Sequence, residues 1–249
     1  MFIDTHCHLS VDDYDDIDVV IKNNLEAVVD KIIVSACTRN TFLEAVDLAK
    51  KYDSVYLTLG LHPSEASIFT NDDLEELSSL IKLDKVVGIG EIGLDYHYGK
   101  DDALLQKDLF EKQLSLAKNN NLPVVIHSRD AVNDTIEILK KYDVKGVIHC
   151  FSGSIEIADV YVKMGYKLGI GGVVTFKNSN LYKVVEHVGL ENIVLETDAP
   201  YLTPDPYRGK QNSSKYIPLI AEKIGNILGV SALDVADVTT ATACNLFDL

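Results

Sequence analysis

The sequence predicts an α/β protein with the architecture of a (β/α)8 barrel, built as a single domain over residues 1–249. Eight short runs rich in β-branched and other apolar residues recur along the chain, and each is followed by a stretch that suits a helix. The 249 residues therefore leave about 31 residues for each strand and its helix, close to the ~30 residues of one βα unit. Count, order and length all match a barrel. The main alternative is a doubly wound open sheet.

Each predicted strand is a short run bounded by polar or turn-forming residues. Several runs are almost continuously apolar, which is typical of parallel strands buried on both faces. The eight runs are FIDTH (2–6), KIIVSA (31–36), VYLTLG (55–60), VVGIGE (86–91), PVVIHS (123–128), GVIHCF (146–151), KLGIGG (167–172) and IVLETD (193–198).

The predicted helices lie between the strands and follow a spacing near 3.6 residues. In segment 15–30, apolar residues recur at this spacing from Ile17 to Val28, and acidic residues lie in the first turn, where the helix dipole favours them. Pro218 falls in the first turn of a predicted helix, where proline is tolerated. The other helices are predicted at 40–51, 72–83, 103–120, 131–141, 155–164, 180–188, 214–228 and 231–247.

The composition limits which binding partners and which cellular compartment we expect for the protein. The formal net charge of −15 argues against a broad basic face that grips duplex DNA. It leaves room for a short strand end held where metal ions supply the positive charge. No run is long and apolar enough for a membrane span, no signal peptide is recognisable, and the four cysteines show no CxxC spacing. We expect a cytoplasmic protein with reduced thiols, no membrane association and no obligate protein partner.

Candidate metal-ligating and substrate-binding side chains follow the ends of the strand runs. His6 and His8 end the first run. Those at the later runs are His62, Glu91, His127, His149 and Asp198. In a barrel, the C-terminal ends of the strands converge on one face, whereas an open sheet would spread them along a line. This placement therefore favours both the barrel and a metal site at its mouth. Of the remaining histidines, we expect His97 to line the pocket and His187 to lie on a helix surface.

Taken one at a time, these side chains have simpler explanations. A lone histidine after an apolar strand is more often a hydrogen-bonded core residue than a ligand. Glu91 or Asp198 could instead pair with an arginine, since a buried unpaired carboxylate is costly. However, five histidines and two carboxylates lie at strand ends, and a separate explanation would have to hold for each of the seven. A joint metal site is therefore the stronger interpretation. Because side chains alternate along a strand, His6 and His8 share a side and can bind one ion, whereas Cys7 is expected to be a packed thiol.

Six motifs occur in the order and spacing of a known family. They are DTHCHL, GLHP, GEIGLDYHY, VIHSRDA, HCFSGS and ETDAPYLTP, and with the late PYRGK stretch they extend from residue 4 to beyond residue 210. In these motifs the chain resembles the TatD-type metal-dependent deoxyribonucleases of the amidohydrolase superfamily. The resemblance implies a (β/α)8 barrel with two divalent metal ions that hydrolyses phosphodiester bonds in DNA, on strand ends or single strands.

The resemblance also implies a role for each candidate residue. The implied ligands are His6, His8 and Asp198 for the first ion, His127 and His149 for the second, and Glu91 as the bridge. His62 would contact the substrate phosphate. The chain departs from the family at Ser64, where a second histidine is frequent, and at Ser214, where proline is common. Both departures bear on substrate preference. Other superfamily members, such as dihydroorotase, bridge their metals with a carboxylated lysine, whereas here the fourth strand ends in Glu91.

The predicted mechanism is attack by a water molecule that two ions activate. Four imidazoles and two carboxylates suit Zn²⁺ or Mn²⁺, and the resemblance keeps Mg²⁺ open. Two ions about 3.5–4 Å apart would lower the pKa of the water and clamp the attacking and leaving oxygens. The predicted catalytic residues are Asp198, as the proton acceptor, and Glu91, as the bridge. Arg129, Arg208 and Lys210 are candidate phosphate contacts, with ordinary surface charge as the alternative.

Two other functions are compatible with the same residues. A hydrolase of a small amide, lactone or ester would use the same two-metal centre, and the net charge favours it over a processive nuclease. A non-enzymatic metal-binding protein is the weakest alternative, because a complete ligand set around a barrel mouth has no structural need. The motif match favours the nuclease.

Overall fold

Strands and helices alternate along the chain as far as the last strand, which two consecutive α-helices follow. The computed structural model describes residues 1–249, including every side chain in that range except that of Glu65. The strands are β1 (Phe2–Cys7), β2 (Val29–Ala36), β3 (Val55–Leu59), β4 (Val86–Asp95), β5 (Val124–Arg129), β6 (Gly146–Ile148), β7 (Lys167–Ile170) and β8 (Ile193–Leu195). The α-helices are α1 (Ile17–Glu26), α2 (Arg39–Lys51), α3 (Asn71–Leu80), α4 (Ala103–Asn120), α5 (Val132–Leu139), α6 (Ile155–Lys163), α7 (Leu181–Val188), α8 (Ile217–Leu228) and α9 (Ala232–Phe247).

The eight strands form one sheet in which neighbours in sequence are neighbours in space, from β1 to β8. The end strands also meet. The backbone N–H groups of Thr197 and Asp198 donate to the carbonyl of His6 at 3.3 and 3.0 Å, and the His8 N–H donates to the carbonyl of Ala199 at 2.6 Å. The predicted (β/α)8 barrel is therefore confirmed, and the open-sheet alternative is wrong.

The observed elements match the predicted segments except at their ends. β4 continues to Asp95, because its last residues still pair with β5, where Asp95 lies opposite Arg129. β8 already ends at Leu195, and Asp198 follows it in a turn with a φ of 56°, a left-handed conformation that no strand adopts. α1 is shorter than predicted, since β2 begins at Val29.

The chain groups into two compact units. The first unit consists of Met1–Val34 and Cys150–Leu249, and the second unit consists of Ser35–His149. In the first unit, α8 and α9 pack on each other and on β1 and β8, and Tyr161 and Phe247 are fully buried. In the second unit, α2 packs on β3 and α4 packs on β4, with Phe42 and Phe110 fully buried. Each unit thus has its own apolar interior, and a single domain over 1–249 stays a prediction.

The last two helices, α8 and α9, are largely apolar. α8 carries Pro218 in its first turn, as predicted. Among the described residues, no single helix is long and apolar enough to cross a membrane. The segments Ser214–Leu228 and Ala232–Phe247, bent by 109° at their junction, meet that criterion only together.

Candidate metal centre

Three of the predicted ligands lie together in the first unit, at the end of β1 and in the turn after β8. The Nε2 atoms of His6 and His8 are 3.3 Å apart. Oδ1 of Asp198 lies 3.7 Å from Nε2 of His6 and 3.5 Å from Nε2 of His8. The His6 side chain is fully buried, whereas 24% of the His8 side chain is exposed. Two imidazoles and a carboxylate therefore surround a point that is open to solvent on one side.

The spacing of these donor atoms suits a divalent ion. Two nitrogens that bind one ion at about 2.1 Å lie about 3.0–3.4 Å apart in octahedral or tetrahedral coordination. The Nε2 atoms of His6 and His8 fall in that range. Imidazole and carboxylate groups are also the ligand types that Zn²⁺ and Mn²⁺ accept. The residues present therefore fit a metal ion.

A buried hydrogen-bond network around Asp4 holds this cluster together. Oδ1 of Asp4 accepts from the N–H of Thr197 at 3.0 Å and from that of His6 at 3.2 Å, and Oδ2 accepts from the Thr197 hydroxyl at 2.6 Å. Burial raises the pKa of Asp4 to about 7, although these hydrogen bonds oppose the shift. Asp4 thereby ties β1 to the turn that carries Asp198. Sequence reading did not assign this role, because Thr197 is 193 residues away in the chain.

The other three predicted ligands lie together in the second unit, around one carboxylate oxygen. Nδ1 of His127, on β5, is 2.5 Å from Oε1 of Glu91, on β4. Nε2 of His149, directly after β6, is 3.7 Å from the same oxygen. Parallel pairing of β4 with β5 and of β5 with β6 brings these positions side by side. The six predicted ligands thus form two clusters, one in each unit, and their union in one two-ion centre stays a prediction.

Asp95 is a site residue that sequence reading missed. Its Oδ2 lies 3.1 Å from Nε2 of His127, so this imidazole is held between Asp95 and Glu91. Burial by itself lowers the pKa of His127, but the charge of Glu91 and hydrogen bonds with both carboxylates raise it to about 9. Burial opposes ionisation of Asp95, yet hydrogen bonds with His127 and with the His97 N–H lower the pKa of Asp95. The sequence does contain a feature that could have identified Asp95. In GEIGLDYHY, Asp95 is an even number of residues after Glu91, which places both side chains on one side of β4.

Glu196 is a second buried carboxylate that sequence reading missed. Its Oε1 accepts a hydrogen bond from the backbone N–H of Cys150 at 2.6 Å. A Cβ atom at Gly169 would collide with the other carboxylate oxygen, so glycine is what leaves room for Glu196. Glu196 therefore anchors the chain directly after His149. The sequence feature that could have identified Glu196 is its position in the ETD motif, two residues before Asp198.

The predicted phosphate contact, His62, is oriented by Ser64. Nδ1 of His62 accepts from the Ser64 N–H at 3.1 Å and lies 2.7 Å from the Ser64 hydroxyl. A neutral imidazole that accepts at Nδ1 carries its hydrogen on Nε2. Nε2 of His62 is 4.0 Å from Oε1 of Glu91, beside the second cluster. The serine that departs from the family pattern thus serves to position a donor at the site.

The three predicted cationic contacts are all exposed. Arg129 ends β5, and its guanidinium lies 5.8 Å from the centre of the Tyr98 ring. Arg208 and Lys210 lie in the loop after β8. Binding of substrate by these three side chains stays a prediction.

The residues predicted to lie outside the ligand set are placed as follows. Cys7 is buried and is the packed thiol that strand alternation predicts. His187 is 45% exposed and pairs with Asp159 at 2.9 Å, which confirms a surface position. His97 is 43% exposed and lies 3.2 Å from Asp130 in the loops after β4 and β5. Its expected role in lining the pocket stays a prediction.

Comparisons with known proteins show the family to which the chain belongs. The family model described as TatD related DNase matches residues 3–248. The uncharacterized metal-dependent hydrolase YabD of Bacillus subtilis is 41% identical over 252 residues, which cover 99% of each chain. The crystal structure of YjjV, a TatD homologue from Escherichia coli K12, matches with a TM-score of 0.91 and 33% identity over 100% of this chain and 98% of its own. A TatD family hydrolase from Entamoeba histolytica matches with a TM-score of 0.88 and 25% identity, covering 99% and 97%. The chain therefore belongs to the TatD family of metal-dependent hydrolases.

Proposed function

We propose that this protein hydrolyses phosphodiester bonds in DNA, at strand ends or in single strands, with two divalent metal ions. The observation that carries the proposal is the approach of the His6 and His8 nitrogens to 3.3 Å beside the carboxylate of Asp198. Such a cluster suits hydrolysis at a metal centre. The match to a family model described as TatD related DNase supports a phosphodiester in DNA as the substrate.

The proposed ligands follow the two clusters. They are His6, His8 and Asp198 for one ion, His127 and His149 for the other, and Glu91 for both. In a (β/α)8 barrel, the C-terminal strand ends share one face, which supports joining the two clusters in one centre. The position of one Glu91 oxygen beside both His127 and His149, at 2.5 and 3.7 Å, supports a carboxylate near the ligands of the second ion.

The chemistry divides between the ions and the chain. When bound, the ions supply an activated water and stabilise charge on the phosphoryl oxygens. Asp198 accepts the proton that the attacking water gives up, and its side chain is 15% exposed and so can meet a water. His62 donates from Nε2 to a phosphate oxygen and so orients the substrate. Asp95 and Ser64 hold the rings of His127 and His62 in the orientations that these roles need.

The donor atoms indicate a group of divalent metals, but they do not select one metal from it. Four imidazoles favour Zn²⁺ or Mn²⁺, whereas the two carboxylates also serve Mg²⁺. Reconstitution with each of these ions in turn, followed by measurement of activity and of bound metal, identifies the working ion.

A hydrolase of a small amide, lactone or ester is the second candidate function. The net charge of −15 favours it, because a long polyanion is not attracted to such a surface. The proposed nuclease meets this objection by binding only a short stretch of strand near the ions, which supply local positive charge.

Labelled single-stranded oligonucleotides test the proposal. Protein reconstituted with Zn²⁺, Mn²⁺ or Mg²⁺ is incubated with strands labelled at the 5′ or the 3′ end, and the product ladder shows whether cleavage starts from an end. We expect shortening of the strand by native protein and at least a hundredfold slower cleavage by Asp198→Asn. If no oligonucleotide is cleaved with any ion while an amide or lactone is turned over, the second candidate replaces the first.

A further inference from the structure

The segment that follows the turn at Asp198 has the opposite charge balance from the rest of the chain. This late loop, residues 199–216, contains the cations Arg208, Lys210 and Lys215 and a single anion, Asp205. The whole chain carries a net charge of −15. A locally basic loop on an acidic protein is the arrangement expected for contacts with a few phosphates rather than with a long duplex.

The late loop is held in one conformation by buried hydrogen bonds. The side-chain amide of Asn212, which is fully buried, donates to the carbonyls of Thr197 and Tyr201 at 2.8 and 2.5 Å. The Tyr14 hydroxyl donates to the Asn212 carbonyl at 3.0 Å, from outside the loop. A loop that is already ordered loses little conformational entropy when it binds a ligand. The late loop therefore presents an ordered surface to a ligand.

Tyr201 places an exposed aromatic ring beside a predicted metal ligand. Its ring centre lies 6.2 Å from that of His8, and its backbone N–H donates to the carbonyl of Asp198 at 2.8 Å. The residue is nevertheless 58% exposed. Packing does not account for a large ring left this open next to a metal cluster. A planar group of the substrate that stacks on the ring would cover it.

Arg208 is presented in a way that suits a phosphate. Its guanidinium lies 3.7 Å from the centre of the Phe176 ring while the residue itself is exposed. Stacking on an aromatic ring restrains the guanidinium plane and leaves its N–H groups at the edge for an anion. Lys210, also exposed, lies 5.4 Å from the centre of the Tyr207 ring. The late loop therefore alternates aromatic rings and cations, the pattern that binds single strands by stacking and charge.

We propose that the late loop is the strand-binding site for single-stranded DNA. The base next to the scissile phosphodiester stacks on Tyr201, and Arg208 and Lys210 bind the phosphates that follow it. This inference rests on the proposed nuclease function, because it takes the ligand of the site to be a DNA strand. It adds the part of the chain that selects single strands, since a base is available for stacking only when it is unpaired.

Binding is measured separately from cleavage, so that the two proposals fail separately. The probe is a fluorescein-labelled oligodeoxythymidine of about 12 nucleotides, within the span of a single-strand site. Its fluorescence anisotropy is recorded with the full-length protein in EDTA, where no hydrolysis interferes. It is recorded again with Mn²⁺ on a phosphorothioate version of the probe, which resists hydrolysis. The variants are Tyr201→Ala, Tyr201→Phe and Arg208→Ala. The matched controls are Tyr182→Ala and Lys183→Ala on α7, where the Lys183 ammonium lies 5.7 Å from the centre of the Tyr182 ring and so also pairs a cation with an aromatic ring.

The expected results follow from the two kinds of contact. Tyr201→Ala weakens binding roughly 5- to 150-fold, as loss of one stacked base does, whereas Tyr201→Phe binds like the native protein. On a strand of abasic sugars, Tyr201→Ala and native protein bind equally. Arg208→Ala lowers the slope of log Kd against log salt by about 0.7, the amount for one phosphate on a single strand. Both control variants bind like the native protein.

Three results would overturn the inference. They are Tyr201→Ala binding the strand like the native protein, an equal loss of binding with Tyr182→Ala, and no binding of the strand by native protein either in EDTA or with Mn²⁺. The first of these, combined with metal-dependent cleavage of the oligonucleotide, removes the strand site and leaves the proposed nuclease function in place. Binding that depends on Tyr201 and Arg208, without cleavage under any ion, supports the strand site and removes the nuclease function.

Discussion

Nε2 of His127 lies 3.1 Å from Oδ2 of Asp95, on the opposite side of the ring from the nitrogen that meets Glu91. A carboxylate behind a metal-binding histidine fixes the orientation of the ring and the position of its hydrogen. Because the pKa of His127 is raised to about 9, its ring carries a hydrogen on both nitrogens and donates to Asp95 and to Glu91. If an ion takes the place of the hydrogen on Nδ1, Asp95 still accepts from Nε2 and holds the ring, so Asp95 orients His127 as a ligand.

We predict that Asp95→Asn weakens metal binding while leaving the protein folded. Loss of the carboxylate behind a histidine ligand costs about 10- to 100-fold in metal affinity. Isothermal titration of metal-free protein with Zn²⁺ or Mn²⁺ measures the change, and circular dichroism checks the fold. Asp130→Asn is the matched control, because Asp130 pairs with the exposed His97. Equal affinities of Asp95→Asn and native protein would refute the role of Asp95.

Removal of the metal ions should abolish hydrolysis and leave the barrel intact. The fold has extensive buried apolar interiors in both units, so its stability does not depend on a metal as that of a zinc finger does. The test compares activity and the circular dichroism spectrum before and after EDTA treatment. Loss of the helical spectrum in EDTA, or activity that persists in EDTA, would contradict this prediction.

His62→Ala should keep the bound metal ions and lose cleavage of oligonucleotides. His62 lies beside the second cluster but is not needed to complete the ligand set. Metal content by atomic absorption and cleavage rates on one labelled strand measure the two effects. Ser64→Ala gives a graded control. It removes the hydroxyl 2.7 Å from Nδ1 of His62 but keeps the ring, so we expect a smaller loss than with His62→Ala. Loss of metal in His62→Ala would instead make His62 a ligand.

The start of α3 should contribute stability that depends on pH. Hydrogen bonds from the backbone N–H and the hydroxyl of Thr70 lower the pKa of Asp73, and the charge of Arg39 adds to them. A carboxyl with a lowered pKa stabilises the folded state above its ordinary pKa of about 4, and this stabilisation is lost as the pH falls through the lowered value. Asp73→Asn should therefore lower the free energy of unfolding by about 1 kcal/mol at pH 7 and by less at pH 3.

Urea denaturation at the two pH values measures this difference. Asp72→Asn is the control, because Asp72 lies in the same first turn and shares only the favourable helix dipole, worth a few tenths of a kcal/mol at an exposed site. A loss with Asp73→Asn that is the same at pH 3 as at pH 7 would show that its charge is not involved.

The positions of the strands and helices were predictable because they depend on local spacing. Continuous apolar runs identified parallel strands, and a 3.6-residue period identified helices such as α4, whose predicted bounds agree with the structure. The placement of His127 on β5 followed from the same runs, whereas His149, predicted within the sixth run, lies directly after β6, which already ends at Ile148. Their number and order then led to the barrel.

The sequence by itself thus determined the fold class, the strand ends at which the candidate ligands lie and the family motifs. Only the tertiary structure decided which side chains touch. The contacts of Asp95 with His127 and of Tyr201 with His8 depend on strand register and on turns such as the left-handed one at Asp198. The hydrogen bond from Thr197 to Asp4 spans 193 residues, and no local period encodes a contact at that separation. Spacing along a chain reports the backbone geometry of each element, whereas a site is built from contacts between elements.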